Sequence, residues 1–277
     1  MEFLNALVAL TNFVLVPAVA YGSQLALGAL GVTLIYGILR FSNFAHGDTM
    51  AFGTMATILV TWWFQSMGIG FGVLPTALLA LPFGIAATAA LVLATDRTVY
   101  RFYRAQKAKP VIFVMVSLGV MFIMNGLVRF IIGPGNQRFA DGERFIIKAR
   151  TFKQMTGLDE GLALKTSQGI AGVLYGLDKS FKPFTYFQLL LPIFAAAIVG
   201  GLGNPLGAIA GGFVIAFSEV LVTYAWKKVL VYLMPEGLGP DGLAQLLSTD
   251  YKFAVSVMIL VVVLLFKPTG LFKGKAV

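Results

Sequence analysis

A long apolar run, Gly31 to Gly53 (GVTLIYGILRFSNFAHGDTMAFG), is interrupted by groups that hydrocarbon rejects. Leu34 to Leu39 has membrane-helix character; Arg40, Ser42, Asn43, His46 and Asp48 follow, with glycines at 47 and 53, and apolar character returns at Met50. Without water an unpaired backbone N–H or C=O costs several kcal/mol, so such a break is tolerated only inside protein or beside a polar cavity. The stretch predicts a discontinuous helix, broken near residues 40–48 within a motif covering 37–53, with Asn43 as N-cap of the second half. Asn43, His46, Gly47 and Asp48 are its candidate functional residues, either lining a passage and its gate or forming structural hydrogen bonds.

Composition defines the surroundings of that break. The 277 residues are 58% hydrophobic and 12% charged, against about 25% charged in a soluble domain. With a mean hydropathy of +0.86, the chain reads as an all-α polytopic membrane helix bundle. At about 20 apolar residues per crossing it accommodates about eight spans in a single transmembrane domain over residues 1–277. The net charge of +9 comes from basic residues between the spans, where they orient the chain and meet anionic membrane lipid; no nucleic-acid partner is expected. With no cysteine and one histidine, neither a thiol nucleophile nor a metal centre is expected, and no cofactor. Glu2 is the only early charge, unlike the basic start of a cleaved signal, so the first span is expected to be retained.

The expected spans begin with Phe3 to Tyr21 and Gln24 to Leu39, separated by Gly22 and Ser23. Met50 to Phe64 follows, ending at the interface-suited pair Trp62 and Trp63. Val73 to Ala94 carries Pro82 as an internal kink, and Val111 to Ile132, Phe184 to Val199, Gly200 to Leu221 and Tyr251 to Phe266 complete the series. Between them, 96–110 concentrates Arg97, Arg101, Arg104, Lys107 and Lys109 in one short connection, which marks the cytoplasmic side. Arg97, Arg101 and Arg104 have helical spacing as well, so they either anchor topology or form an interfacial helix touching a cytoplasmic partner. Residues 137–183 hold no stretch long enough to span and are placed in the periplasm. Counting crossings from an internal N-terminus puts both termini in the cytoplasm.

Two further features stand out. In 200–221, Asn204 and Pro205 supply an N-cap and first helical position, while Gly203, Gly207 and Gly211 recur every four residues and lay a flat groove along one face. That groove takes either a neighbouring span or another subunit. Glu219 is the carboxylate well inside an apolar run, which points to a cavity or coupling role, or to a buried hydrogen-bonded partner.

These motifs carry a family resemblance. NFAHGD, preceded by a turn at Ile35, Tyr36 and Gly37, resembles the signature of permease subunits of branched-chain amino acid ABC importers. TDRTVYRFYR resembles a basic loop of the same family, and GGLGNPLGAIAGGFVIAFSEVL and the terminal KPTGLFKGK resemble its last glycine-rich turn and ending. The resemblance implies a non-enzymatic transport subunit of a bacterial inner membrane that provides the translocation pathway for branched-chain amino acids or related small amides. It further implies a second permease subunit, two ATP-binding subunits and a periplasmic substrate-binding protein. No GxxxxGK[ST] occurs, so ATP hydrolysis is expected in a partner chain. No GxSxG surrounds any serine and the carboxylates form no obvious pair, which argues against an intramembrane hydrolase. The family's internal helical hairpin, which bears the ATPase-docking loop, is absent: Lys165 to Gly169 lead almost directly to GVLYG at 172–176. A coupling-deficient remnant is therefore an alternative, as is a secondary transporter or channel that uses the break as an ion site.

Overall fold

The computed structural model describes the chain apart from residues 71–73, 140–144, 166–180, 235–241, 243, 249–250 and 273–277. Its first element is unbroken: α1 (Glu2–Leu10), a π-helical segment (Thr11–Leu15) and α2 (Val16–Leu39) form one continuous helix. The two spans expected on either side of Gly22 and Ser23 are thus a single one. A glycine costs a helix only about 1 kcal/mol relative to alanine, whereas opening the backbone in apolar surroundings costs several. Ser23 stays helical by donating its hydroxyl to the Val19 carbonyl at 2.9 Å. Gly22 serves contact rather than a turn, since a Cβ there would lie 2.5 Å from the Phe213 ring.

After the break come α3 (His46–Ser66) and α4 (Ala77–Thr95), which passes through a π turn (Asp96–Tyr100) into α5 (Arg101–Ala105). The basic connection is therefore largely helical. Pro110 opens α6 (Pro110–Ile132), its missing N–H falling where a helix has no use for one. A two-stranded pair, β1 (Phe145–Ile147) with β2 (Leu164–Lys165), flanks α7 (Ala149–Thr156). Then follow α8 (Pro183–Gly200), α9 (Pro205–Thr223), α10 (Lys227–Leu233) and α11 (Lys252–Phe266). Among the described residues, five stretches are long and apolar enough to cross a membrane: Glu2–Ile38, Ala77–Ala105, Pro110–Ile132, Pro183–Gly200 and Pro205–Thr223. With α3 and α11 packed among them, the chain is an all-α polytopic membrane bundle.

The core has two main parts. Leu25, Ala29, Ile193, Ala196, Ala208 and Ile215 join α2, α8 and α9, and Ala51, Met55, Ile58, Ala77 and Val128 join α3, α4 and α6. Alanines recur through the first group, so backbones approach closely there.

Contacts along α9 define the two ends of the bundle. Beyond its C-terminal end, α10 packs on α1 through Val229, Ala6 and Ala9. Beside its N-terminal end, Leu271 donates its N–H to the Val199 carbonyl at 2.7 Å and Asn204 donates to the Phe272 carbonyl at 2.9 Å. The N-terminal helix and the described C-terminal residues therefore lie at opposite ends, where the crossing count had both termini on one side. One helix in place of two expected spans accounts for the change. At the α10 end, Gln137 and Phe181 exchange backbone hydrogen bonds of 2.8 Å, so the chain leaves and re-enters the bundle at one point.

Candidate functional site

The break begins where Arg40, with φ 53 and ψ 31, closes α2 in the left-handed conformation and donates its N–H to the Tyr36 carbonyl at 2.8 Å. The position before α3 is Ala45, with no side-chain cap, so Asn43 is not the N-cap. Its Oδ1 instead accepts the Ala45 N–H at 3.1 Å, shaping the turn that leads into the helix. The same oxygen accepts the Tyr100 hydroxyl at 3.3 Å. The Phe44 N–H is taken by Ser117 Oγ at 3.2 Å, and Thr49 Oγ1 donates to the His46 carbonyl at 2.6 Å. Freed backbone groups thus find partners within the chain, as burial demands.

Consecutive residues then face different helices. The His46 ring lies over Gly31 of α2, where a Cβ would come within 2.7 Å of Cε1, and hydrogen-bonds to the Gly28 backbone. Gly47 faces α8, where a Cβ would stand 2.9 Å from the Tyr186 carbonyl oxygen. Asp48, 1% exposed, accepts from Asn125 Nδ2 of α6 at 2.7 Å. Arg129, one turn further along α6, adds its charge to the same carboxylate. Phe44 meets Phe194 of α8 with ring centroids 5.4 Å apart. The break is therefore a hub that fixes the start of α3 against α2, α6 and α8.

The glycine stripe has an intrachain partner. A Cβ on Gly207 would overlap the Gly200 carbonyl, and one on Gly211 the Ala196 carbonyl, so both face α8. Gly212, outside the stripe, lets α2 approach: a Cβ there would be 2.5 Å from the Ala26 nitrogen. Gly203 lies in the connecting turn at φ 81, and Asn204 caps α9 by accepting the Gly207 N–H at 3.1 Å.

Glu219 is fully buried between α9, α11 and α2. Ser256 donates its hydroxyl to Oε1, and Lys252 Nζ lies 3.7 Å from Oε2 while resting 3.6 Å from the Tyr21 ring centroid. Neither partner was legible in sequence, because both lie beyond a loop.

A second polar cluster lies at the α10 end. Asn5 donates to Asp159 at 3.4 Å and accepts the Glu160 N–H at 3.3 Å, and Asn12 accepts the Ala163 N–H at 3.2 Å. Glu160 takes Lys228 Nζ at 2.8 Å and the Tyr232 hydroxyl at 2.8 Å. Burial pushes the Glu160 carboxyl up, but these two hydrogen bonds and the Lys228 charge outweigh it and hold it below the usual carboxylate range. At the other end, Arg104 forms a two-pronged pair with Asp96 at 2.6 and 2.7 Å, while Arg97 and Arg101 are exposed. Among the described residues no three His, Asp or Glu side chains gather as a metal site requires.

The family model described as the permease component of the branched-chain amino acid transport system matches residues 14–154 and 168–264. The chain belongs to that family. The permease is 26% identical to the high-affinity branched-chain amino acid transport system permease protein LivH of Escherichia coli K12, over 91% of this chain and 92% of LivH. It is 25% identical to BraD of Pseudomonas aeruginosa, a permease protein of the same description, over 93% and 94%. Against a branched-chain amino acid transport permease protein of Methanocaldococcus jannaschii the identity is 24%, over 94% and 92%. No solved structure matches it significantly. The matched residues include the broken-helix hub and the basic helix, in a transport component rather than a catalytic enzyme.

Proposed function

We propose that this permease is one membrane-spanning subunit of an ATP-driven importer for branched-chain amino acids or related small amides. The observation that carries the reading is the family match across both halves of the chain, broken helix included. A second permease subunit completes the pathway, two ATP-binding subunits supply hydrolysis, and a periplasmic substrate-binding protein delivers cargo. The short basic connection 96–110 supports a cytoplasmic position for its end of the bundle, with the C-terminus; α1 then emerges on the periplasmic side. Residues 137–183 are likewise periplasmic, and the chain acts as one domain.

Asn43, His46, Gly47 and Asp48 act in this reading as the pivot of the pathway, because each is committed to a neighbouring helix. Gly207 and Gly211 hold the α8–α9 hairpin shut, and Glu219 ties α11 to it. The missing hairpin falls on 166–180, outside the described residues. The alignment with LivH runs over 310 positions against 277 residues here, so at least 33 positions, not assigned to any one place, have no counterpart in this chain. That observation favours a second reading, a coupling-deficient remnant.

Affinity purification from the native membrane, followed by mass spectrometry and uptake in proteoliposomes, separates the two. Recovery of an ATPase and a second permease with ATP-dependent uptake of leucine, isoleucine or valine supports the importer. A stably inserted chain that recovers neither supports the remnant, and uptake abolished by ionophore without ATP would replace both with a secondary transporter.

A further inference from the structure

The stretch Ala77–Ala105 is 29 residues long, about 43 Å at 1.5 Å per residue, and so outruns a hydrocarbon layer of about 30 Å. Its far end is the basic helix. Arg104 is neutralised by Asp96, but Arg97 and Arg101 are exposed. Tyr100 stands between them in sequence and turns inward, 7% exposed, packed with Phe41, Val120 and Met121. Its ring lies 5.9 Å from that of Phe41, in the break itself. Its hydroxyl reaches Asn43 Oδ1, the oxygen that also accepts the Ala45 N–H and so shapes the entry to α3. One oxygen therefore joins the basic helix to the broken one. Because the helix carrying the arginines is continuous, a displacement at Arg97 or Arg101 moves Tyr100 with it.

The geometry points to Tyr100 as a positioning residue that couples contact at Arg97 and Arg101 to the start of α3. Resting on the importer reading, and with the hairpin that bears the family's docking loop missing, the contact left to an ATP-hydrolysing subunit is one that presents carboxylates to these two exposed guanidinium groups. Movement of that subunit pulls on the Tyr100–Asn43 bond and thereby on the turn that holds His46 and Asp48. Tyr100 does not touch cargo; it acts through Asn43.

The test uses the whole assembly purified from its own membrane. Tyr100→Phe removes only the hydroxyl and keeps the ring against Phe41. It is expected to recover as much ATPase subunit as the unaltered chain, while uptake per ATP hydrolysed falls about fivefold, the equivalent of one hydrogen bond. Arg97→Ala with Arg101→Ala is expected to lose the ATPase subunit itself. Tyr100→Phe added to Asn43→Ala is expected to cost no more than Asn43→Ala alone. Unchanged uptake per ATP in Tyr100→Phe, or additive losses in the double variant, would overturn the link. Retention of the ATPase by the double arginine variant, or its release only by added anionic lipid vesicles, would overturn the assigned contact. If the unaltered chain brings down no ATPase, the importer reading fails first and this inference fails with it.

Discussion

Gly207→Ala offers a test in which two helix effects of opposite sign compete. Alanine is favoured over glycine in a helix interior by about 1 kcal/mol. At Gly207, however, the added Cβ would overlap the Gly200 carbonyl oxygen, a backbone atom that cannot rotate away. Forcing a methyl group into a packed contact costs about 1–3 kcal/mol, and here the α8–α9 hairpin must open to receive it. The expected net effect is a loss of up to about 2 kcal/mol, the excess of that cost over the helix gain. Gly119 and Gly126 in α6 have nothing within 4 Å of a built Cβ. Alanine at either is expected to stabilise by up to about 1 kcal/mol. The assay is reversible unfolding of the purified permease in mild detergent, following all three variants under one condition. Stability raised in Gly207→Ala as much as in the Gly119 and Gly126 variants, or shifts of one sign in all three, would refute the argument from backbone contact.

Asn125→Leu leaves the buried Asp48 carboxylate without its donor and is expected to cost about 1–3 kcal/mol in the same assay. Glu219→Ala is expected to cost about 2–3 kcal/mol, less than a fully buried pair because Lys252 keeps 23% side-chain exposure. A Glu219→Leu variant that proved more stable than the unaltered chain would show the cluster to be dispensable. The Glu160 carboxyl is held below its ordinary value, so its contribution to docking 145–165 on α10 is full above that value. It is lost as pH falls through the lower, folded-state value; the hydrogen-exchange protection factor of 149–156, taken relative to the intrinsic rate at each pH, should stay flat from pH 8 to about 5 and fall only in stronger acid. Glu160→Gln should remove that acid step and quicken exchange at neutral pH.

The membrane class, the break and the cap at Asn204 were legible because each leaves a local mark: apolar length, charges within it, and Asn before Pro. Gly22 and Ser23 left a misleading one. A glycine that admits Phe213 looks in sequence like a glycine that ends a helix, since both are small residues between apolar runs. The partners of the motif were not legible, because they depend on register between distant helices. Asn125 pairs with Asp48 only once α6 is set against α3, and Tyr100, at the end of the π turn after α4, meets Asn43 only once that helix is set beside the break. The stripe Gly203, Gly207, Gly211 was visible as a close-packing face, but which helix it receives was not.

Asp48 and His46 look in sequence like a titratable pair beside a passage. Two residues apart on a helix, they point about 200° apart around its axis, and the structure uses that separation: His46 meets α2 while Asp48 meets α6. A polar residue facing cargo must let it go; a polar residue facing a neighbouring helix can be bound tightly without cost to passage. Gly47 between them completes the arrangement, since any side chain there would push α8 away through the Tyr186 carbonyl. The motif therefore joins three helices at the start of α3, and rotation of α3 changes all three contacts together. Asn43 shapes the turn just before them, so under the importer reading proposed above the break is suited to switching a pathway rather than to holding what passes through it.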